Sequence, residues 1–216
     1  MLFDTDIDLL FLSGPGVSSR YGIDFSRNIA SNFEIHGEWA YINSYPKRIL
    51  DEAGISYDEE KAGSSYLLGI RFLTKTNTTF FLEYYRNGKG YTQGEMENYY
   101  GAIERAYEMF LETGYESDLR LASSLSEYRT FTPARNYLYL RISQKEPFNI
   151  LYFTPSITSI CNLKDRSFSL APELLYSPVT DLELRARAMF LLGKKGTEFR
   201  EKQNDFRLEL RFRYYF

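Results

Sequence analysis

Hydrophobic and polar residues alternate with a period of two along most of this chain, in ten segments separated by turn-rich stretches. Successive side chains of a strand point to opposite faces, so each segment predicts a strand with one apolar and one polar side. The segments cover residues 2–12, 20–28, 33–42, 64–74, 78–87, 136–143, 148–161, 168–177, 182–192 and 206–216. In the first, Phe3, Thr5, Ile7, Leu9 and Phe11 oppose Asp4, Asp6 and Asp8. In the second, Tyr21, Ile23 and Phe25 oppose Asp24 and Ser26, and in the third Phe33, Ile35, Trp39 and Tyr41 oppose Glu34, His36 and Glu38. The polar sides of later segments carry Arg71, Glu83, Arg141, Glu173, Glu183, Arg185 and Arg187. Phe81 interrupts the polar side of the fifth, and the seventh, with Pro155 and many hydroxyls, has no clear facing.

The connections add a helix and an asymmetry. Thr92-Gln93-Gly94-Glu95 is a capping box, after which Met96, Tyr99, Tyr100, Ile103, Tyr107 and Phe110 recur at helical spacing until Gly114. This predicts an amphipathic helix over 93–113 within a long connection, 88–135, with Glu97, Glu104, Glu108 and Glu112 on its other side. One set of links is short: 29–32, 75–77, 144–147 and 178–181. The alternate set is 13–19, 43–63, 88–135, 162–167 and 193–205, three of them long. Transmembrane barrels have short periplasmic turns and longer external loops.

The last segment is the most regular: Phe206, Leu208, Leu210, Phe212, Tyr214 and Phe216 face one way and Arg207, Glu209, Arg211 and Arg213 the other. Its length of about eleven residues suffices for a tilted strand to cross a bilayer. It resembles the C-terminal strand of Gram-negative outer-membrane β-barrel proteins, which ends on Phe with aromatic or aliphatic residues at alternating positions before it. Leu208, Leu210, Phe212, Tyr214 and Phe216 carry the resemblance. It implies an all-β fold, an antiparallel transmembrane β-barrel of about ten strands in the bacterial outer membrane, surrounded by outer-membrane lipid. It also implies that Phe212, Tyr214 and Phe216 form an assembly signal read by the barrel-assembly machinery. The competing reading is an edge or core strand of a soluble β protein.

Composition narrows the class. No run approaches the ~18–20 apolar residues of a spanning helix, and the mean hydropathy is −0.39. Aromatic residues nevertheless make up 17% of the chain, with 17 Phe, 19 Tyr and one Trp, and Tyr and Trp favour membrane interfaces. A net charge of −3 with both signs abundant gives no argument for a nucleic-acid partner. The single cysteine, Cys161, excludes an internal disulfide, and no Cys/His cluster suggests a metal, so no cofactor is expected. Met1 is followed by Leu-Phe-Asp-Thr-Asp without a basic or apolar leader. Residues 1–216 therefore read as a single barrel domain that is either the C-terminal part of a larger barrel or a processed chain with a start Met.

In a barrel the polar sides face the lumen, where charge would be segregated. The first three strands offer Asp4, Asp6, Asp8, Asp24, Glu34 and Glu38, and the last two offer Arg185, Arg187, Arg207, Arg211 and Arg213 against Glu183 and Glu209. With His36, Arg71, Glu83, Arg141 and Glu173 these are the candidate pore-lining residues. Were ten strands to close, the first and last would be neighbours, and the two groups would form either ion pairs along a seam or opposed walls of a selective pore. The resulting expectation is a porin-like channel for passive passage of small polar or charged solutes, with the helix either folded on its own loop or narrowing the lumen. Two other classes stand beside it. A receptor or adhesion barrel would use the long links 43–63 and 88–135. A barrel hydrolase would use His36 with neighbouring carboxylates, although no G-x-S-x-G motif is present.

Overall fold

The computed structural model describes residues 5–114, 116, 120 and 125–216. Ten strands follow one another as an antiparallel meander: β1 (Thr5–Gly14), β2 (Val17–Ala30), β3 (Phe33–Leu50), β4 (Ser56–Leu73), β5 (Thr78–Arg86), β6 (Asn136–Gln144), β7 (Phe153–Asn162), β8 (Phe168–Val179), β9 (Leu182–Leu192) and β10 (Phe206–Tyr214). Each strand pairs with its sequence neighbours, while β1 and β10 are the two edges and do not pair with each other. The chain is thus all-β apart from one long helix, as its alternation predicts, but the sheet is open. Closure of these ten strands on themselves, one of the two expected arrangements, is not found, nor is the acidic–basic seam that would go with it.

The expected boundaries hold best where one side is apolar and the other polar. β9 matches at both ends. β3 and β4 each run to 18 residues, so the expected link 43–63 is mostly strand, with its turn at 51–55. A bulge between Ile42 and Tyr45 separates the two halves of this hairpin. Beyond it both faces carry charge, which erases the alternation, and the pairing continues with charged residues directly opposite one another. Arg48 stands directly opposite Asp58 and donates two hydrogen bonds to it at 2.8 Å. At ~3.3 Å per residue such a strand is roughly 60 Å long, twice the ~30 Å of a bilayer's hydrocarbon.

Two further links differ. The expected loop 13–19 is a tight hairpin turn at Pro15-Gly16, where Gly16 takes φ +71°. β7 starts at Phe153, because Phe148, Asn149 and Tyr152 adopt left-handed backbone, φ 57–59°, that cannot continue a strand. The link 145–152 is therefore longer than three on the opposite side, and the expected sorting of loop lengths is weaker. Only 87–135 and 193–205 are long there; the hairpin of β3 and β4 extends that side with strand rather than loop.

Enclosed packing is concentrated at the end that carries these long links, the outer end, which lies beyond the alternating part of the sheet. The helix α1 (Gln93–Thr113) starts at a capping box in which the Thr92 hydroxyl accepts from the Glu95 N–H and Glu95 accepts from the Thr92 N–H, and stops at Gly114 in the left-handed region. Its Met96 and Tyr99 pack on Leu50, Tyr91, Leu125 and Tyr128. The Tyr128 ring stacks on both Tyr91 and Tyr99, at 3.7 and 4.5 Å between centroids. Lys47 of β3 meets Glu95 at 2.9 Å. The helix accordingly sits on the end of β3 and on its own connection, the first of the two expected dispositions.

A different loop docks on one face of the sheet. Phe199, in the link 193–205, is completely buried against Ala134, Tyr137 and Leu191, with Tyr85, Ile160 and Met189 around them. The next residue back, Glu198, accepts hydrogen bonds from the Tyr137 hydroxyl at 2.7 Å and from Asn162 Nδ2 at 2.9 Å. The Phe199 N–H donates to Ser167 Oγ, and Lys202 donates to the Thr130 carbonyl. Removing a buried Phe side chain costs about 3–5 kcal/mol, and here the cost falls on loop docking. Phe199→Ala should release 193–205, seen as much faster proteolytic cleavage within that loop while β-sheet circular dichroism is retained.

Candidate functional site

Antiparallel pairing places directly opposed residues on the same face, so the register defines two faces across the whole sheet. One is apolar. The row Ile7, Phe25, Gly37, Leu68, Tyr84, Leu138, Cys161, Phe168 and Leu192 runs from β1 to β9. Leu208, Leu210 and Phe212 extend this face on β10 opposite Ala188, Ala186 and Leu184. Many of its side chains are bare, among them Leu9 at 78%, Leu210 at 65% and Phe212 at 79% exposure. Tyr214 shares this face opposite Leu182, and Phe216 lies past the end of β10. Ring pairs such as Phe33–Phe72, Phe153–Tyr176 and Phe190–Phe206 tie adjacent strands along it.

The opposite face holds every expected lining residue among those described; Asp4 lies outside the described residues. Asp8, Asp24 and Glu38 stand directly opposite one another on β1, β2 and β3. None of the three has an ion pair among the described residues, and like charges so placed are destabilising unless water screens them. The next row is Asp6, Ser26, His36, Gly69 and Glu83. At the far edge Glu173, Arg187 and Glu209 alternate in sign across β8, β9 and β10. Glu209 meets Arg211 at 2.8 Å and Arg207 at 3.6 Å, and Glu183 meets Arg213 at 3.5 Å. Arg185 stands opposite Arg211, and its Nε makes no hydrogen bond among the described residues. The acidic and basic groups therefore occupy opposite ends of one open sheet.

Between them lies a polar cluster that sequence spacing misplaces. His36 does not pair with Glu38. Its Nε2 reaches Glu83 Oε1 on β5 at 3.2 Å, and its Nδ1 lies 3.8 Å from Glu34. The ring crosses β4 at Gly69, where a Cβ would overlap His36 and approach Glu83 Cγ to 2.9 Å. Glu34 is also held by Arg71 at 3.3 Å and accepts from the Ser26 hydroxyl at 3.3 Å. Arg71 lies over the Phe81 ring at 5.6 Å, and Arg141 flanks Phe81 on β6. The ring is thus hydrogen-bonded to one carboxylate and lies near a second, while its Nδ1 makes no hydrogen bond among the described residues. No group of metal-ligating side chains occurs among the described residues.

The element that spacing misses is the docked pair Glu198 and Phe199, for which a lone Phe in a charged loop is the only sequence signal. Burial raises the Glu198 carboxyl to about 7, against the opposing hydrogen bonds from Tyr137 and Asn162 and the nearby Lys202 ammonium. Asp165, whose carboxylate accepts from the Glu198 N–H, and Tyr100 of α1 face the same group. The docked loop thus binds a proton that a released loop gives up. Docking is favoured at low pH and weakens as pH rises from the ordinary carboxyl value of 4.5 through about 7. Cleavage in 193–205 should accelerate across that interval at fixed protease activity, and Glu198→Gln should flatten the dependence.

The chain matches no protein-family model and no curated protein.

Proposed function

We propose that this chain forms the wall of an outer-membrane channel that passes small polar or charged solutes, with its apolar face on lipid and its charged face on water. The observation that carries the reading is the pair of continuous faces. Ten strands ~4.8 Å apart and an apolar band ~25–30 Å tall give on the order of 1,200–1,400 Å² of apolar surface. The largest exposed patch on an ordinary soluble monomer is ~300–600 Å². No helix layer covers this face among the described residues: the helix packs on the end of β3 and on the connecting segments around it. Lipid provides such a cover. It also demands that β1 and β10 be paired, so the ten strands act as one sector of a wall completed by further strands. Phe212, Tyr214 and Phe216 serve as the assembly signal in this reading.

A second reading is favoured by the packed loops over the outer end: a barrel that binds a partner externally and conducts little. Two measurements separate these. Trp39, the chain's one tryptophan, lies on the apolar face and is 40% exposed. Its fluorescence should be strongly quenched by phospholipids brominated on the acyl chains; unchanged emission in membrane-inserted protein would remove the lipid-facing assignment. In planar bilayers the channel reading expects steady ohmic steps, with Arg207, Arg211 and Arg213 changed together to Glu shifting the reversal potential toward cation selectivity. Insertion without steps supports the binding protein instead.

A further inference from the structure

Beneath the outer loops, against the charged face, lies a cavity of about 780 Å³. Its wall mixes hydrogen-bonding side chains, Ser18, Ser44 and Asn87, with Val17, Pro46 and Pro133, and four cations line it: Arg20, Lys47, Arg48 and Lys89. Two of these are neutralised, Lys47 by Glu95 at 2.9 Å and Arg48 by Asp58 at 2.8 Å. The other lining carboxylate, Glu127, acts on Arg48 rather than on the remaining pair. Arg20 and Lys89 have no carboxylate within ion-pairing distance among the described residues.

Those two cations also act on each other. Arg20 points from the charged face of β2, opposite Leu12 and Ile42. Lys89 is brought over that face by the segment after β5. Its path is fixed by two contacts: the Gly88 N–H donates to Ser65 Oγ at 2.8 Å, and the Gly88 carbonyl accepts from the Tyr45 hydroxyl at 3.2 Å. A Cβ at Gly88 would meet the Ser64 backbone at 2.5 Å, so the close approach needs glycine there. Lys89 Nζ sits 5.1 Å over the Tyr45 ring. Burial and then the Arg20 guanidinium push Lys89 below the usual lysine range. Arg20 and Lys89 are both solvent-accessible, and two like charges facing one cavity repel each other, so an anion placed between them relieves both.

We propose that this cavity is a binding site for a small hydrophilic organic anion, of the size and polarity of a sugar acid, held between Arg20 and Lys89. The inference deepens the channel reading by naming a solute class, and it rests on that reading only in requiring that water reach the charged face.

Three sugars of one shape and different charge test it. The full chain, folded in detergent at low salt, is titrated with D-glucuronate, D-glucose and D-glucosamine, and binding is followed by saturation-transfer NMR. Glucuronate should bind at least tenfold more tightly than the other two. Arg20→Gln with Lys89→Gln should lose at least tenfold in glucuronate affinity, Lys89→Gln alone should lose part of it, and Lys145→Gln on the far side should lose none. Equal binding of glucuronate and glucose, undiminished binding by the double variant, or no glucuronate binding at tens of millimolar would each overturn the site. Titration needs no conductance. A protein that conducts without binding glucuronate removes only this site, and one that binds without conducting removes only the channel.

Discussion

Register is the constraint on which the rest of this structure depends. In an antiparallel sheet a slip of one residue moves every side chain of a strand to the other face. Here the nine pairings keep the alternating segments in phase, so charged positions share one face and apolar positions the other from β1 to β10. Three of the four register shifts fall near strand ends, at Leu12/Gly14, Asn28/Ala30 and Tyr176/Val179. The fourth, at Ile42/Tyr45, lies midway along β3, where the half with one apolar face gives way to the half charged on both sides. A shift within the alternating half would carry a carboxylate or guanidinium into the apolar band.

The sheet and its loops solve different problems. The central strands bury little on either side, and they hold their shape through backbone ladders and cross-strand ring pairs. The outer connections instead enclose side chains as a water-soluble domain does, around Tyr128 on one side and Phe199 on the other. One cross-strand ion pair, Arg48 with Asp58, bridges the far half of the β3–β4 hairpin, and an exposed pair of this kind contributes less than about 1 kcal/mol. Most of the outer end's cohesion therefore comes from aromatic packing and from the hydrogen bonds that converge on Glu198.

Much of the sheet was legible in the alternation, because a strand with one apolar and one polar side writes its facing directly into residue parity. β9 and the helix were bounded correctly for this reason and for the capping box. The outer halves of β3 and β4 were not legible: Lys47 and Arg48 on one strand face Asp58 and Glu59 on the other, and charge on both sides has no period. The charged face was legible as a list of residues and illegible as a set of contacts. Glu34 and His36 are two apart in one strand, whereas Glu83 reaches His36 only because Gly69 leaves β4 bare between them. Openness of the sheet was equally hidden, since parity fixes which way a side chain points and says nothing about curvature.

The docking of Phe199 has a consequence for the sheet as well as for its own loop. The side chain belongs to a cluster that includes Tyr85 on β5, Tyr137 on β6, Ile160 on β7 and Leu191 on β9. Most pairs of these strands share no ladder with one another, so one loop side chain acts as a rivet through strands that backbone bonds join only in series. Without that ring each strand would answer to its immediate neighbours alone.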